Sequence, residues 1–431
     1  MLSALVPRHV RLKNNENQST YDPIIVSLGP YHHGESDLQV AEEYKHKVLE
    51  IYVSKSGVNR EFFYNKVLNI VDQVRNYYIG VSISNEALAE MMLLDSCFVV
   101  NLMEINAGMN DNYRHFCYHL GRSAFSLIFQ DIFCLENQIP LVLIKLLISL
   151  IYRDRDGEGN NLINKFLGIT CFGDIQCVTN EDPMVVDYTP LHLLEAYHRV
   201  FVKGNIRRSA SNESTKLPIW GRCLCLRSTR KKEMNGSATA NTNTMSYKQQ
   251  NFRSVMELKS KGIYFRPSPD SMEPSFTPYA CFGVLNLPIL VVNHNTKSFL
   301  SNIIAYEMSP HSDTQIEVTS YVNFMKMLID GPTDVKELRE KEILFSSLSS
   351  DEQVVQVFKD LETFGADNEN VFREFKEVFD RHCISKAETW MAELIYTYFR
   401  TPWTAIALFA AILLLVLTFV QTYFTLRPVK S

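Results

Sequence analysis

His32 and His33 follow Gly29-Pro30-Tyr31 in a turn, with Glu35 two residues further on. Two imidazoles beside a carboxylate could bind a metal ion or shuttle protons, because an unperturbed imidazole titrates near neutral pH. The same residues also suit a turn that hydrogen-bonds its own backbone. Asp95 and Glu307 each stand in an apolar, helix-like stretch, where a carboxylate requires a cation or several donors, and neither has a catalytic mate beside it in the sequence. Glu136-Asn137-Gln138 lies in an apolar neighbourhood just before Pro140. Burying any of the three unpaired would cost about 1–3 kcal/mol, so they must cap helix ends around Pro140 or line a ligand- or protein-binding notch. His192 and His198 are six apart, point in different directions on a helix, and read as core or partner contacts. Cys223 and Cys225 have neither a companion pair nor a nearby His for zinc. Phosphate-cradling loops, Gly-x-Ser-x-Gly elbows, His-Glu-x-x-His and Cys-x-x-Cys motifs are all missing. No residue is therefore assigned as catalytic, cofactor-binding or metal-ligating, and no cofactor is expected.

The elements that must position these groups are mostly helices. Ser84 is placed to cap a helix with Glu86 in its first turn, and Ala87 to Ile105 is apolar on nearly every side. Phe125 to Leu135 reads as a second apolar helix, and Pro140 opens a third over Leu141 to Ile151, too short to span a bilayer and carrying Lys145. Further on, Tyr321, Phe324, Met325 and Leu328 keep the spacing of one buried helix face, with Gly331 and Pro332 as the stop. Ser350 and Gln353 form a capping box ahead of Val354, Val357, Phe358 and Leu361. Gly283 to Val292 is rich in Val, Leu and Ile, and Pro288 restricts it to an edge strand or a segment lining the helices. Glu388 to Phe399 reads as a helix leading to Pro402. The fold class is mainly α with a minor β component. Its expected parts are an N-terminal segment 1–20, a helical lobe 21–202, a variable basic linker 203–251, a second lobe 252–400 holding the short strands, a transmembrane helix 403–426 and a tail 427–431.

Trp403 to Val420 contains no charged residue and eleven Leu, Ile, Val or Phe. About 20 helical residues cross a hydrocarbon core of about 30 Å, so the stretch suggests a single membrane span, with Trp403, Tyr423 and Phe424 at its ends. No secretory signal is evident near Met1, and a span this close to the terminus would suit tail anchoring, with the large domain facing the cytosol. Sequons at Asn17, Asn212 and Asn235 would accept glycans if the domain faced outward. The nine cysteines show no disulfide framework; Cys97 and Cys134 lie in apolar runs and read as small buried hydrophobes in a reduced compartment. With 46% apolar residues the 431-residue chain has ample core, and a formal charge of -5 gives no global drive toward nucleic acid. The expected partners are membrane lipid through the last helix and an unidentified protein, with no nucleic acid.

Taken in order, the landmarks Val26-Ser27-Leu28-Gly29-Pro30-Tyr31-His32-His33-Gly34, Met91-Met92-Leu93-Leu94-Asp95-Ser96-Cys97-Phe98, Leu135-Glu136-Asn137-Gln138-Ile139-Pro140, Glu257 to Ile263, Asn302-Ile303-Ile304-Ala305-Tyr306-Glu307, Tyr398 to Trp403 and Leu417 to Gln421 resemble one plant family, domain of unknown function 247. The resemblance spans nearly the whole chain; Ser96 stands where the family commonly has Gly, and Ala41-Glu42 replaces a usual Met-Glu. It implies a plant protein with a C-terminal membrane anchor and no established enzyme activity. Some grass members are implicated in self-incompatibility, which implies recognition or signalling. The leading expectation is a membrane-tethered interaction protein. The rival is an enzyme using His32, His33, Asp95 or Glu136 in a cleft between the lobes.

Overall fold

The computed structural model describes residues 5–13, 20–109, 112–152, 161–172, 190–203, 254–268, 274–279, 282–310, 312, 314–368, 378–379 and 402–426. Residues 204–251 of the basic linker, the segment 388–399, Cys223, Cys225 and the sequons at Asn17, Asn212 and Asn235 lie outside the described residues. The chain divides into two compact units built from non-contiguous segments. The first comprises Met1–Glu213, Pro267–Glu273 and Leu287–Val371; the second comprises Ser214–Arg266, Pro274–Asn286 and Phe372–Ser431. The expected boundary near residue 252 thus does not separate the helices, because residues 287–371 pack with the first two hundred.

Within the first unit run α1 (Arg8–Lys13), α2 (Gln39–Ser56), α3 (Arg60–Leu68), α4 (Val71–Arg75), α5 (Asn85–Asn106), α6 (Tyr113–Leu120), α7 (Ala124–Asp131), α8 (Leu141–Ile151), α9 (Leu162–Phe172) and α10 (Leu193–Lys203). Ser84 caps α5 as expected, its hydroxyl accepting from the Ala87 amide at 3.1 Å, a bond worth about 1 kcal/mol. Every residue from Met91 to Glu104 is buried, and α2, α3, α8 and α9 pack around this central helix. The core is apolar and aromatic; Phe133 meets Phe166, Tyr197 and Phe299 with ring centroids 4.8–6.2 Å apart. Cys97 and Cys134 are free and buried, as small hydrophobes.

The second unit holds α11 (Val255–Ser260) and most of a three-stranded sheet of β1 (Ile263–Ser268), β2 (Ser275–Pro278) and β3 (Gly283–Pro288), in the order β1-β3-β2. Of the two roles expected for the Pro288 segment, an edge strand or a lining against the helices, the edge strand is not what forms. β3 is central, and Pro288 is tolerated because it is the last residue, beyond the antiparallel register that runs from Ser275 opposite Asn286 to Pro278 opposite Gly283. After it, β4 (Leu290–Val292) pairs in parallel with β5 (Leu344–Ser346) in the first unit.

That unit continues with α12 (Thr296–Glu307), α13 (Glu317–Leu328), α14 (Pro332–Glu340) and α15 (Asp351–Asp360). Tyr321, Phe324, Met325 and Leu328 are buried, as their spacing predicts. Gly331-Pro332 does more than stop α13. Pro332 takes the first position of α14, where its missing N–H leaves no acceptor unserved, and an Asp334 carboxylate oxygen accepts from the Gly331 amide at 3.0 Å. At α15 the Ser350 hydroxyl accepts from Gln353, but the Gln353 side chain accepts from Ser349 rather than Ser350, one residue off the expected box.

The last helix of the second unit, α16 (Pro402–Leu426), has 25 residues with no acidic residue in its first turn and no basic one in its last. Ile406, Phe409 and Ile412 to Leu417 are exposed, as are Phe419 and Val420. Its described side chains run unbroken only over 409–422. Over those, at 1.5 Å per residue, the helix is roughly 21 Å long against about 30 Å of hydrocarbon, and among the described residues no helix is long and apolar enough to cross a membrane. The structure gives an exposed apolar helix where the sequence suggests a span.

Candidate functional site

Asp95, Asn137 and Asn302 converge, together with Asp131 and Lys45, on one irregular segment, 20–29, and the first unit uses them to replace a missing secondary-structure partner. Asp131, at the end of α7, accepts from three consecutive amides, Ile24, Ile25 and Val26, at 2.7–2.9 Å. The Asn137 carbonyl oxygen accepts from Leu28 at 2.6 Å while its amide donates to the Val26 oxygen at 2.9 Å. Asp95 Oδ2 accepts from Gly29 at 2.7 Å, Lys45 donates to the Ser27 oxygen at 2.5 Å, and Asn302 donates to the Thr20 oxygen at 2.8 Å. A buried backbone must find partners for its amides and carbonyls, and here side chains from four helices and a loop supply them.

Asp95 and Lys45 face each other at 2.5 Å, both essentially without solvent contact, and Glu42 adds a second carboxylate at 2.5 Å. Burial pushes the Lys45 ammonium down, but the Asp95 and Glu42 charges outweigh it and its pKa is raised. Burial raises the Asp95 carboxyl while Lys45 and the Gly29 amide oppose that. With an ammonium and an amide both donating to Asp95, the arrangement is an ion pair. Gly29 itself has φ +74°, and a Cβ there would lie 3.0 Å from the Tyr78 hydroxyl and 3.2 Å from the Gln138 carbonyl. Gly29→Ala is therefore expected to cost about 1–2 kcal/mol in backbone strain, plus a steric penalty. Gly34→Ala, also at positive φ but with nothing within 4 Å, should show the strain alone. Chemical denaturation midpoints of the two variants separate the effects.

The remaining motif residues also bond backbone. Gln138 donates to the Ile132 and Cys134 carbonyls at 2.8 and 2.7 Å and accepts from Leu194 at 3.1 Å; Asn137 donates to the Asp131 carbonyl at 3.0 Å. These side chains take the carbonyls that a longer α7 would have used, which is why the helix ends at Asp131 rather than Leu135. Pro140 forms an antiparallel bridge with His192, the Leu141 amide donating to Leu191 at 2.7 Å. Asn302 accepts from the Leu135 amide at 2.8 Å. Glu307 accepts from the Val318 and Thr319 amides and the Thr319 hydroxyl at 2.6–2.9 Å, and from His198 at 2.7 Å. It caps α13 from outside that helix, where the N-cap Ile316 offers no side-chain acceptor. His192 and His198 flank one ring, Tyr306, with centroids 5.5 and 5.8 Å away. Burial pushes His192 down to about 4, and its Nδ1 accepts from the Glu195 amide.

The group nearest to chemistry is Asp22, His32 and Glu136, one ligand atom of each lying within 4.8 Å of the others. Arg11 bridges the two carboxylates, meeting Asp22 at 2.8 Å and bonding Glu136, whose other oxygen accepts from Val6 at 2.8 Å. His32 Nδ1 bonds Glu35 at 2.8 Å. Tyr31 accepts from the Ile79 amide at 3.1 Å and packs edge-on to Tyr78, whereas His33 is exposed. Glu307, His198 and Glu317 form a second such group, in which the Glu307 oxygens are already shared among the donors above. Sequence reasoning missed Lys45, Asp131, Arg11 and Asp22. Lys45 was findable, since Ala41, Tyr44, Val48, Leu49 and Tyr52 place it on the buried face of α2. So was Asp131, a carboxylate inside an apolar run.

A family described as plant protein of unknown function matches residues 4–417. Among curated proteins the chain is 24% identical to UPF0481 protein At3g47200 of Arabidopsis thaliana over 414 residues, covering 94% of this chain and 83% of that one. It is 20% identical to a second Arabidopsis thaliana UPF0481 protein, At3g02645, covering 94% of this chain and 87% of that one. No solved structure matches.

Proposed function

Because the chain belongs to the plant domain-of-unknown-function 247 family, whose description carries no activity, we propose that it is a membrane-tethered recognition or signalling protein. In this reading α16 enters the bilayer and the helical units face the cytosol to meet a protein partner, with self-incompatibility as one setting for such recognition. The observation that carries the reading is α16 itself. Ile406, Phe409, Ile412 to Leu417, Phe419 and Val420 give it an extended exposed apolar surface of the kind a bilayer covers. Exposed apolar side chains along it would cost about 25 cal/mol per Å² in water, and a lipid environment removes that cost. Its two described hydroxyls, Thr418 and Thr422, donate to the carbonyls of Leu414 and Thr418 at 2.7 and 2.8 Å, satisfying their own polarity within the helix. The motif carboxylates and amides support interaction over chemistry, since Asp95, Glu136, Asn137, Gln138, Asn302 and Glu307 all hold backbone.

The test is alkaline extraction and protease protection of the tagged full-length chain in sealed plant microsomes, with glycosidase treatment. Resistance to extraction, digestion of the large domain and no glycan shift are expected, and a chain stopped before Pro402 should move to the soluble fraction. Release of the full-length chain by alkali would overturn the anchor; protection together with a glycan shift would overturn the topology.

A further inference from the structure

We propose that Asp22, His32 and Glu136 bind a divalent transition-metal ion, with Arg11 as the internal cation that the metal displaces. The three side chains offer two carboxylate oxygens and one imidazole nitrogen, a donor set that suits Mn²⁺ or Zn²⁺. Their ligand atoms already lie within 4.8 Å of one another. Ligands about 2.0–2.2 Å from a shared metal sit roughly 3–3.5 Å apart, so closing on an ion needs about 1 Å of side-chain movement. No backbone rearrangement is required.

His32 supplies the independent observation. Only 8% of the residue is exposed, and its Nε2 is buried without a protein hydrogen-bond partner. Such an atom is expensive to leave unmatched. Its other nitrogen, Nδ1, lies 2.8 Å from Glu35 Oε1. An Nδ1–H donating to the Glu35 carboxylate is the tautomer that leaves the lone pair on Nε2, the carboxylate–imidazole relay that orients histidine ligands at metal centres. Glu136 is oriented as well, because its Oε1 accepts from the Val6 amide at 2.8 Å.

Arg11 shows where a cation belongs. One of its terminal nitrogens meets Asp22 Oδ1 at 2.8 Å and the other meets Glu136 Oε2. The guanidinium is thus the positive charge the two carboxylates share. Its side chain is 38% exposed, so it can turn into water as an ion enters. An ion must compete with it, which makes affinity depend on Arg11 as well as on the ligands.

The experiment is calorimetric titration of Mn²⁺, and separately Zn²⁺, into the full-length chain in detergent micelles. Wild type is expected to bind one equivalent at this site. His32→Gln should weaken binding at least tenfold without lowering the metal-free melting temperature, Arg11→Met should tighten it at least tenfold, and His33→Gln should leave it unchanged. Identical titrations of wild type and His32→Gln, or no binding by either wild type or Arg11→Met, would overturn the site. If Arg11→Met does not fold, the metal-induced rise in melting temperature of wild type against His32→Gln decides: a rise confined to wild type supports the site, and equal rises or none refute it.

Discussion

Asp95→Ala is expected to destabilise the protein by about 3–5 kcal/mol, because it leaves the Lys45 ammonium buried without its main counter-charge. The Lys45 and Asp95 side chains are 0% and 1% exposed, so water cannot take over. The same substitution removes the acceptor of the Gly29 amide, which adds to the loss. Total stabilities of about 5–15 kcal/mol put such a change within reach of unfolding a large fraction of the protein. Lys45→Met should cost a comparable amount for the mirror-image reason. The double variant Lys45→Met with Asp95→Leu should cost less than the sum of the two single changes, since a pair removed together leaves no buried charge behind. Denaturant midpoints of the three variants measure this directly. An enzyme using Asp95 as a catalytic carboxylate would show the opposite pattern, with activity lost and stability kept.

Asp131→Asn is expected to destabilise the protein most in acid and less at neutral pH, because one amide oxygen replaces a carboxyl group that serves three backbone N–H donors. It should also change the pH dependence. Burial pushes the Asp131 carboxyl up to about 6, against the pull of the Ile24, Val26 and Ile25 amides. The folded state then holds this proton more tightly than the unfolded chain, where the carboxyl has its ordinary value of 3.8. Its contribution is fully present below the unfolded value and is lost as pH rises to about 6. His192 works in the opposite sense. Held down to about 4 by burial, it binds a proton more readily when unfolded, so stability falls as pH drops from 6.5 through about 4. Each contribution amounts to roughly 3 kcal/mol over its window, and between pH 4 and 6 they largely cancel. Asp131→Asn should expose the His192 slope as a steeper acid loss. His192→Asn, which keeps an acceptor for the Glu195 amide, should remove that loss. Parallel slopes in wild type and both variants would contradict the assignment.

Local grammar was legible where the partners of a residue lie within a few turns. Ser84 and the apolar run after it gave α5, Pro140 gave the start of α8, and the spacing from Tyr321 to Leu328 gave the buried face of α13. The early end of α7 was not legible, because the side chains that take its carbonyls belong to the loop beyond it. Gly331-Pro332 was read as a stop when it is also a start, since a proline that ends one helix is equally suited to the first position of the next. Asn302 read as a motif residue of unknown role. Its bonds to Thr20 and Leu135 cross 282 and 167 positions, and no periodicity carries such a pairing. The same distance in sequence hid the joining of residues 287–371 to the first two hundred. Asp95 and Glu307 were legible as needing partners, but Lys45 and His198 as those partners were not.

The claim on which the rest depends is that polar groups resembling catalytic residues instead hold the backbone of residues 20–29. Native-state hydrogen exchange of the Ile24, Ile25, Val26, Leu28 and Gly29 amides tests it most directly. Protection of Val26, Leu28 and Gly29 approaching that of the α5 core is predicted, with Asn137→Ala selectively releasing Leu28. Exchange of all five at the rate of an exposed loop, unaffected by Asn137→Ala, would contradict it and return Asp95 and Asn137 to the pool of residues available for chemistry.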